Sequence, residues 1–446
     1  MTGTDGDKTN PMDGLPPDSA AEPGRASAVP FTTALLYWLR LGLVSFGGPA
    51  GQIALMQADL VDRHRWIDQR RFLHALNFCM LLPGPEAMQL ATYIGWRLHG
   101  IRGGLAAGVL FVLPGAAVLL VLSWIAAAHG NVGLVEAVFA GIQPVVVAIV
   151  AHAVHRIGKR TLGDPLSIAL AIGAFLALRA LGVPFPAIVL AAALIGVTAS
   201  LLGWRCSAAQ LPGAARVAAG PAPGLGRLAR VTLVFAALWI VPVALALVLL
   251  GAGPWGDIVQ LFTTAAFVTF GGAYAVLPYI AQAAVDGYGW LSPTDMTRAL
   301  ALAESTPGPL ILVTQFVGFF AGWNDPGALP PLAGGVAGSA LTLYVTFLPC
   351  FFFIFAGAPY IERLAASPSA IAALAAVTAA VVGVILDLGV FLGEAVLLPG
   401  GRLDWMALGI AAVALVLLEK FRLAVQWTVL AGGLYGILTW SVSASL

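Results

Sequence analysis

The sequence predicts an all-α polytopic membrane protein made of two homologous halves in an inverted repeat, with broken, re-entrant helices at two signature motifs. Three observations carry that prediction. The chain is 60% hydrophobic and only 10% charged. Phe-Gly-Gly and Pro-Gly-Pro each occur twice at one common offset. Four arginines beside one copy are missing beside the other.

Composition settles the solvent first. With a mean hydropathy of +0.93, the chain has too few charges to cover a water-exposed surface of its size. Apolar runs of about 18 or more residues, enough to cross roughly 30 Å of hydrocarbon, recur from Leu105 to the C-terminus. Net charge is +1, which gives no global field for nucleic acid. Cys79, Cys206 and Cys350 are far apart with no Cys-x-x-Cys spacing, so neither a disulfide framework nor a metal cluster is expected. Residues 1–29, rich in Pro, Gly, Ala and Asp, lack the basic start and apolar core of a secretory signal and are expected to form a disordered cytoplasmic tail.

The repeat organises the rest. Phe46-Gly47-Gly48 recurs as Phe270-Gly271-Gly272, and Pro83-Gly84-Pro85 as Pro307-Gly308-Pro309; both are displaced by 224 (270 − 46 and 307 − 83). Between them Val61, Asp62, Trp66, Ala75 and Leu76 match Val285, Asp286, Trp290, Ala299 and Leu300 without a gap. The expected divisions are a first repeat at 30–203, a cytoplasmic linker at 204–230, and a second repeat at 231–446 that carries one extra leading helix. Residues 59–71 contain Arg63, Arg65, Arg70 and Arg71, whereas the equivalent 283–295 contain no Lys or Arg. Under the positive-inside rule the two loops lie on opposite sides of the membrane, as in the inverted repeats of secondary transporters.

Inversion constrains the motif segments. If 72–97 crossed the bilayer once, the basic stretches Arg156-Lys159-Arg160 and Arg205 to Arg230 would fall outside. Broken at Pro83-Gly84-Pro85, it becomes a hairpin with arms of about 11 residues, roughly 17 Å each, half the hydrocarbon thickness. Applied to all four motif segments, this gives four hairpins and nine full spans, near 104–128, 132–155, 164–181, 184–203, 231–251, 329–356, 369–390, 404–418 and 423–440. Full spans in place of the hairpins are the alternative.

Proline and glycine break a membrane helix by removing a donor and freeing the backbone, and lipid cannot satisfy the groups exposed. Broken backbone must therefore face protein or a wet cavity. Where a half-helix begins, free N–H groups and the positive dipole end form an anion site without a formal charge. Gly47, Gly48, Gly84, Gly271, Gly272 and Gly308 are thus candidate substrate-binding positions; close packing or simple kinks are the alternative. Arg40, inside an apolar run six residues before Phe46, either points its guanidinium at the cavity or snorkels to the interface. Gln89, Thr92, Thr314 and Gln315 offer neutral donors on the outgoing arms. Glu86, directly after the first Pro-Gly-Pro, and Glu304, three residues before the second, are candidate proton carriers; a first-turn residue favoured by the helix dipole is the alternative for Glu86.

His152 and His155 have metal-pair spacing but no carboxylate beside them in sequence, so interfacial histidines are expected and no metal. Gly104/Gly108 and Gly334/Gly338 have the small-xxx-small spacing of close helix contacts. No nucleotide-binding loop, nucleophile elbow or clustered base appears, which argues against an ATP-driven pump and an intramembrane enzyme and requires no cofactor.

The stretch Leu41-Gly42-Leu43, Phe46-Gly47-Gly48-Pro49, Trp66, Leu82-Pro83-Gly84-Pro85-Glu86-Ala87, Gly95 and Leu113-Pro114-Gly115 resembles the N-terminal signature of the chromate ion transporters, and its echo in the second half resembles the long, two-domain form of that family. The resemblance implies secondary active efflux of chromate from a bacterial cytoplasm across the inner membrane, conferring chromate resistance. It leaves sulfate or another oxyanion open as substrate and a passive channel open as mechanism. The expected partners are the oxyanion and the bilayer, with a homodimer as candidate assembly. The second copy departs from the signature with Gly272-Ala273 in place of Gly48-Pro49 and Leu310 in place of Glu86.

Overall fold

The computed structural model describes residues 29–46, 48–130, 132–203, 225–358 and 367–445. Among these residues there are sixteen α-helices and no strand. In the first half they are α1 (Phe31–Val44), α2 (Gly48–Gln57), α3 (Gln69–Leu81), α4 (Glu86–His129), α5 (Gly133–Thr161), α6 (Pro165–Arg179) and α7 (Phe185–Leu201). An unpaired α8 (Leu225–Leu250) follows, then α9 (Trp255–Val268), α10 (Ala273–Gln282), α11 (Pro293–Ser305), α12 (Val313–Asn324), α13 (Pro331–Gly357), α14 (Pro368–Leu397), α15 (Trp405–Glu419) and α16 (Val425–Ser445). Among the described residues five helices are long and apolar enough to cross a membrane: those of 86–129, 133–161, 226–250, 331–357 and 368–397. The protein is a multi-pass membrane protein.

Local chemistry explains the ends. Asp68 caps α3 by accepting from the Arg71 amide at 2.9 Å, and Ser292 with Asp295 forms a capping box on α11. Among the described residues the helices break at 45–46, 82–85, 269–272 and 306–309, where the two motifs lie. Gly84 (φ +121°) and Gly308 (φ +99°) take left-handed conformations between prolines that have no N–H to donate.

The 44-residue α4 is two arms rather than one rod. His99 and Gly100 leave helical geometry, and the second arm doubles back so that Gly95 and Gly103 each face the other's carbonyl. In the second half, α12 and α13 meet in the same manner through Gly318 with Gly338 and Gly322 with Gly334. The glycines let two backbones approach where any Cβ would collide.

The halves also correspond in three dimensions. Gly196 of α7 packs on Ala372 and Ala376 of α14, and Gly436 of α16 packs on Ala137 and Gly141 of α5. The displacements agree: 436 − 196 = 240, while 372 − 137 and 376 − 141 are both 235. The second arm of α4 and its counterpart α13 run antiparallel, with Gly104 against Phe355 and Gly108 against Phe351. So do α5 and α14, with Val150 near Gly389 and Gly158 near Val382.

One pair of these equivalent positions carries charge. His152 on α5 bonds Glu419 on α15 at 2.8 Å, and the equivalents Asp387 and Arg179 (387 − 152 = 235; 419 − 179 = 240) meet at 3.9 Å between α14 and α6. Arg179 also bonds Glu394. The missing carboxylate beside the histidines is therefore supplied by a residue 267 positions away. Among the described residues no group of His, Cys, Asp or Glu is arranged to hold a metal ion.

One expected segment starts differently. α8 begins at Leu225, ahead of the 231 expected, because Arg227 and Arg230 continue the helix beyond its apolar body. The tail to residue 28, linker residues 204–224 with Cys206, and Gly47 lie outside the described residues.

Candidate functional site

The four breaks meet in pairs, each pair joining one motif from either half. Gly84 donates its N–H to the carbonyl of Thr269 at 2.8 Å, and Gly308 donates to the carbonyl of Ser45 at 2.9 Å. Both partners are displaced by 224 (308 − 84 and 269 − 45), so the contact is one interaction made twice, reciprocally. Gln52 reinforces the second copy, its amide donating to Ser45 O at 3.2 Å and Gly308 O at 2.7 Å. Freed backbone groups that lipid would leave unsatisfied are thus paired inside the protein.

The two motifs then differ in what surrounds them. At Pro-Gly-Pro there is no room. Gly84 and Gly308 are buried; a Cβ on Gly84 would meet Gln89 Nε2 at 2.8 Å and Cys350 Sγ at 2.9 Å, and Gly308 lies under Leu312 and Gly115. At Phe-Gly-Gly there is space. A Cβ on Gly48 or Gly272 would meet nothing within 4 Å, and one on Gly271 would have Thr378 of α14 at 3.7 Å. Gly48, Gly271 and Gly272 have φ of +72°, +79° and +98° and are part-exposed. α10 begins there, and no side chain caps its amino end.

The polar residues on the outgoing arms sit differently from the donor role expected of them. Gln89 gives its amide to Pro83 O at 2.7 Å, Thr92 its hydroxyl to Met88 O at 2.9 Å, Thr314 to Ile311 O at 2.8 Å and Gln315 to Ala116 O at 2.9 Å. All four are buried. The unpartnered atoms of Gln89 and Gln315 are carbonyl oxygens, which repel an anion. Of the four, Gln89 is the one that bonds a residue of a break, Pro83. Arg40 is exposed on α1, on the side carrying Leu36 and Leu43 and away from the face buried by Trp38 and Leu41.

The carboxyls do come to them. Glu86 is the first residue of α4, whose N-terminus no other side chain caps, so its charge faces the positive dipole end. Glu304 is buried near the end of α11 and accepts a hydrogen bond from Tyr274 in the first turn of α10. Arg156 and Arg160 lie one helical turn apart on α5, and both are exposed. Tyr274 and Thr378 were missed altogether. Neither lies in a motif, and Tyr274 is matched by Ala50 in the first half (274 − 224 = 50), so the repeat gave no signal for it.

With this geometry in hand, comparison with known proteins is specific. The model of a family described as "Chromate transporter" matches residues 32–197 and 256–437. The chain belongs to the chromate transporter family. The matched regions begin at α1 and at α9 and close within α7 and α16, so α8 falls between them. A chromate transport protein of Pseudomonas aeruginosa is 34% identical over 413 residues, 90% of each chain. One of Cupriavidus metallidurans is 28% identical over 422 residues, covering 94% of this chain and 95% of its own. A probable chromate transport protein of Synechococcus elongatus is 26% identical over 377 residues, 80% and 83% of the two chains. No solved structure gives a significant match.

Proposed function

We propose that this protein is a secondary active transporter that exports chromate, or a related oxyanion such as sulfate, from the bacterial cytoplasm across the inner membrane and thereby confers chromate resistance. One observation carries the reading: of the two broken motifs in each half, Pro-Gly-Pro is closed by reciprocal hydrogen bonds, while Phe-Gly-Gly opens onto space beside a helix amino terminus. A rigid closed element beside an open one suits a site that holds an anion while its surroundings rearrange. In this reading Gly48, Gly271 and Gly272 receive the oxyanion through backbone N–H groups. Gly84, Gly308 and Gln89 hold the breaks in place, and Glu86 with the Glu304–Tyr274 pair carries protons.

Inversion of the repeats is part of the proposal, and the antiparallel course of counterpart helices supports it. A two-fold axis that reverses a membrane-crossing helix must be perpendicular to it, hence in the membrane plane. The divisions 30–203 and 231–446 follow as the two repeats, with α8 supplying the extra crossing that turns the second one over.

The test is chromate uptake into inverted membrane vesicles, with and without an imposed pH gradient and with sulfate as competitor. Uptake beyond the equilibrium level that collapses with the gradient is the expected result. Uptake that only equilibrates would make the protein a passive anion channel, and no uptake of either oxyanion would overturn the substrate class.

A further inference from the structure

We propose that the amino-terminal end of α8 forms a binding site for the headgroup of an anionic phospholipid. A cavity of about 340 Å³ lies where α8 meets the α4 turn and the end of α13, lined by Trp96, Ile101, Arg227, Arg230, Val231 and Phe355. It is remote from the Glu86 and Glu304 carboxyls in role and is used by nothing in the transport reading.

Three features fix the ligand class. First, the cavity holds two guanidiniums and no acid: among the described residues no carboxylate pairs with Arg227 or Arg230. The adjoining linker 204–224 contains Arg205 and Arg216 and neither Asp nor Glu. Two forked donors without a counter-ion match a phosphodiester. Arg97 and Arg102, both exposed on either side of the α4 turn, add positive charge at the same end.

Second, the remaining walls are an indole, an aliphatic chain and a phenyl ring. A hydrated free oxyanion gains nothing from these, whereas the glycerol and upper acyl region of a lipid does, and tryptophan favours the headgroup level. Third, α8 carries exposed apolar surface onward from the cavity. Only 6% of the most apolar window of α8 is buried. Phe235 packs on Phe352 and Phe355 of α13, while Leu233, Val234, Leu238 and Val241 stay exposed for acyl chains to cover. Clustered arginines on the side of the membrane where the positive-inside rule puts them are where anionic lipids concentrate. A lipid seated here would hold α8, which among the described helices has no repeat counterpart, against α13.

The experiment uses the purified full-length protein in nanodiscs or detergent, measuring binding of phosphatidylglycerol by native mass spectrometry and by a fluorescent analogue. Each basic group near an anionic surface changes affinity roughly five-fold, so the Arg227→Gln/Arg230→Gln pair should weaken binding about thirty-fold. Arg227→Lys/Arg230→Lys should retain most of it, and phosphatidylcholine should not compete. Ile101→Trp, which fills the cavity and keeps both charges, should also displace the lipid while leaving the protein monodisperse. Inorganic phosphate, sulfate and chromate form the other arm. Protection by these ions that the Gln pair abolishes would identify a free-oxyanion site and overturn the lipid assignment, as would phosphatidylglycerol binding unchanged in both the Gln pair and Ile101→Trp.

Discussion

Replacing Gly115 by alanine puts one methyl group against the carbonyl of Pro307, the first residue of the second Pro-Gly-Pro. The added Cβ would collide with that oxygen and stand 3.0 Å from its carbon and 2.8 Å from Leu312 Cδ1. A side chain could move aside, but this backbone cannot do so cheaply. Gly308 next to it is tied to Ser45 at 2.9 Å and to Gln52 at 2.7 Å. Overpacking of this kind costs about 1–3 kcal/mol, while alanine in place of glycine inside a helix returns about 1 kcal/mol. Gly173, in mid-α6, supplies the control, since its Cβ would meet nothing within 4 Å. There only the helix-propensity gain remains, about 0.4–1 kcal/mol. The two substitutions are chemically identical, so the difference between them isolates the steric cost, about 1–3 kcal/mol. Equilibrium denaturation of each variant in detergent measures that difference, and vesicle uptake measures function. We expect Gly173→Ala to be active and slightly stabilised, and Gly115→Ala to be destabilised relative to it with impaired transport. Equal stability of the two variants would refute the idea that α4 closes directly on the second break.

Three further outcomes are expected. Glu86→Gln keeps the shape of the side chain but fixes its charge, so the variant should still exchange chromate across vesicles yet lose stimulation by a pH gradient; equal stimulation in both proteins would move the proton role to Glu304. Cysteines introduced at Gln69 and Gly287, both exposed, should react with an impermeant maleimide from opposite sides of the membrane, and labelling from one side would sink the inverted arrangement. Arg179→Gln removes the partner of the mostly buried Asp387 (15% exposed) and should destabilise the protein by about 1–3 kcal/mol in detergent. Glu419→Gln, whose amide oxygen can still accept from His152, should cost less than about 1 kcal/mol; the reverse order would show that the equivalent contacts do not clamp α6 to α14 and α5 to α15.

Much of the molecule was legible in sequence because it follows from chemistry that is local. A proline lacks its donor wherever it sits, and glycine between prolines takes positive φ at little cost. The breaks at 82–85 and 306–309 therefore lie on the motifs, and caps such as Asp68 and Ser292 act within three residues. The excess of apolar residues and the common displacement of 224 likewise require no partner to be recognised. Tertiary structure decided what the breaks do. All four release backbone groups of the same kind, and only the opposing half determines that the N–H of Gly84 finds Thr269 while the space beside Gly272 stays open. Helical periodicity places Arg40 on one face of α1 without saying that α4 covers the other. No local rule joins His152 to Glu419 or Arg179 to Glu394, 267 and 215 residues apart. Such contacts depend on how whole helices pack, and a side chain's sequence neighbours contain no record of which distant backbone or charge will stand opposite it.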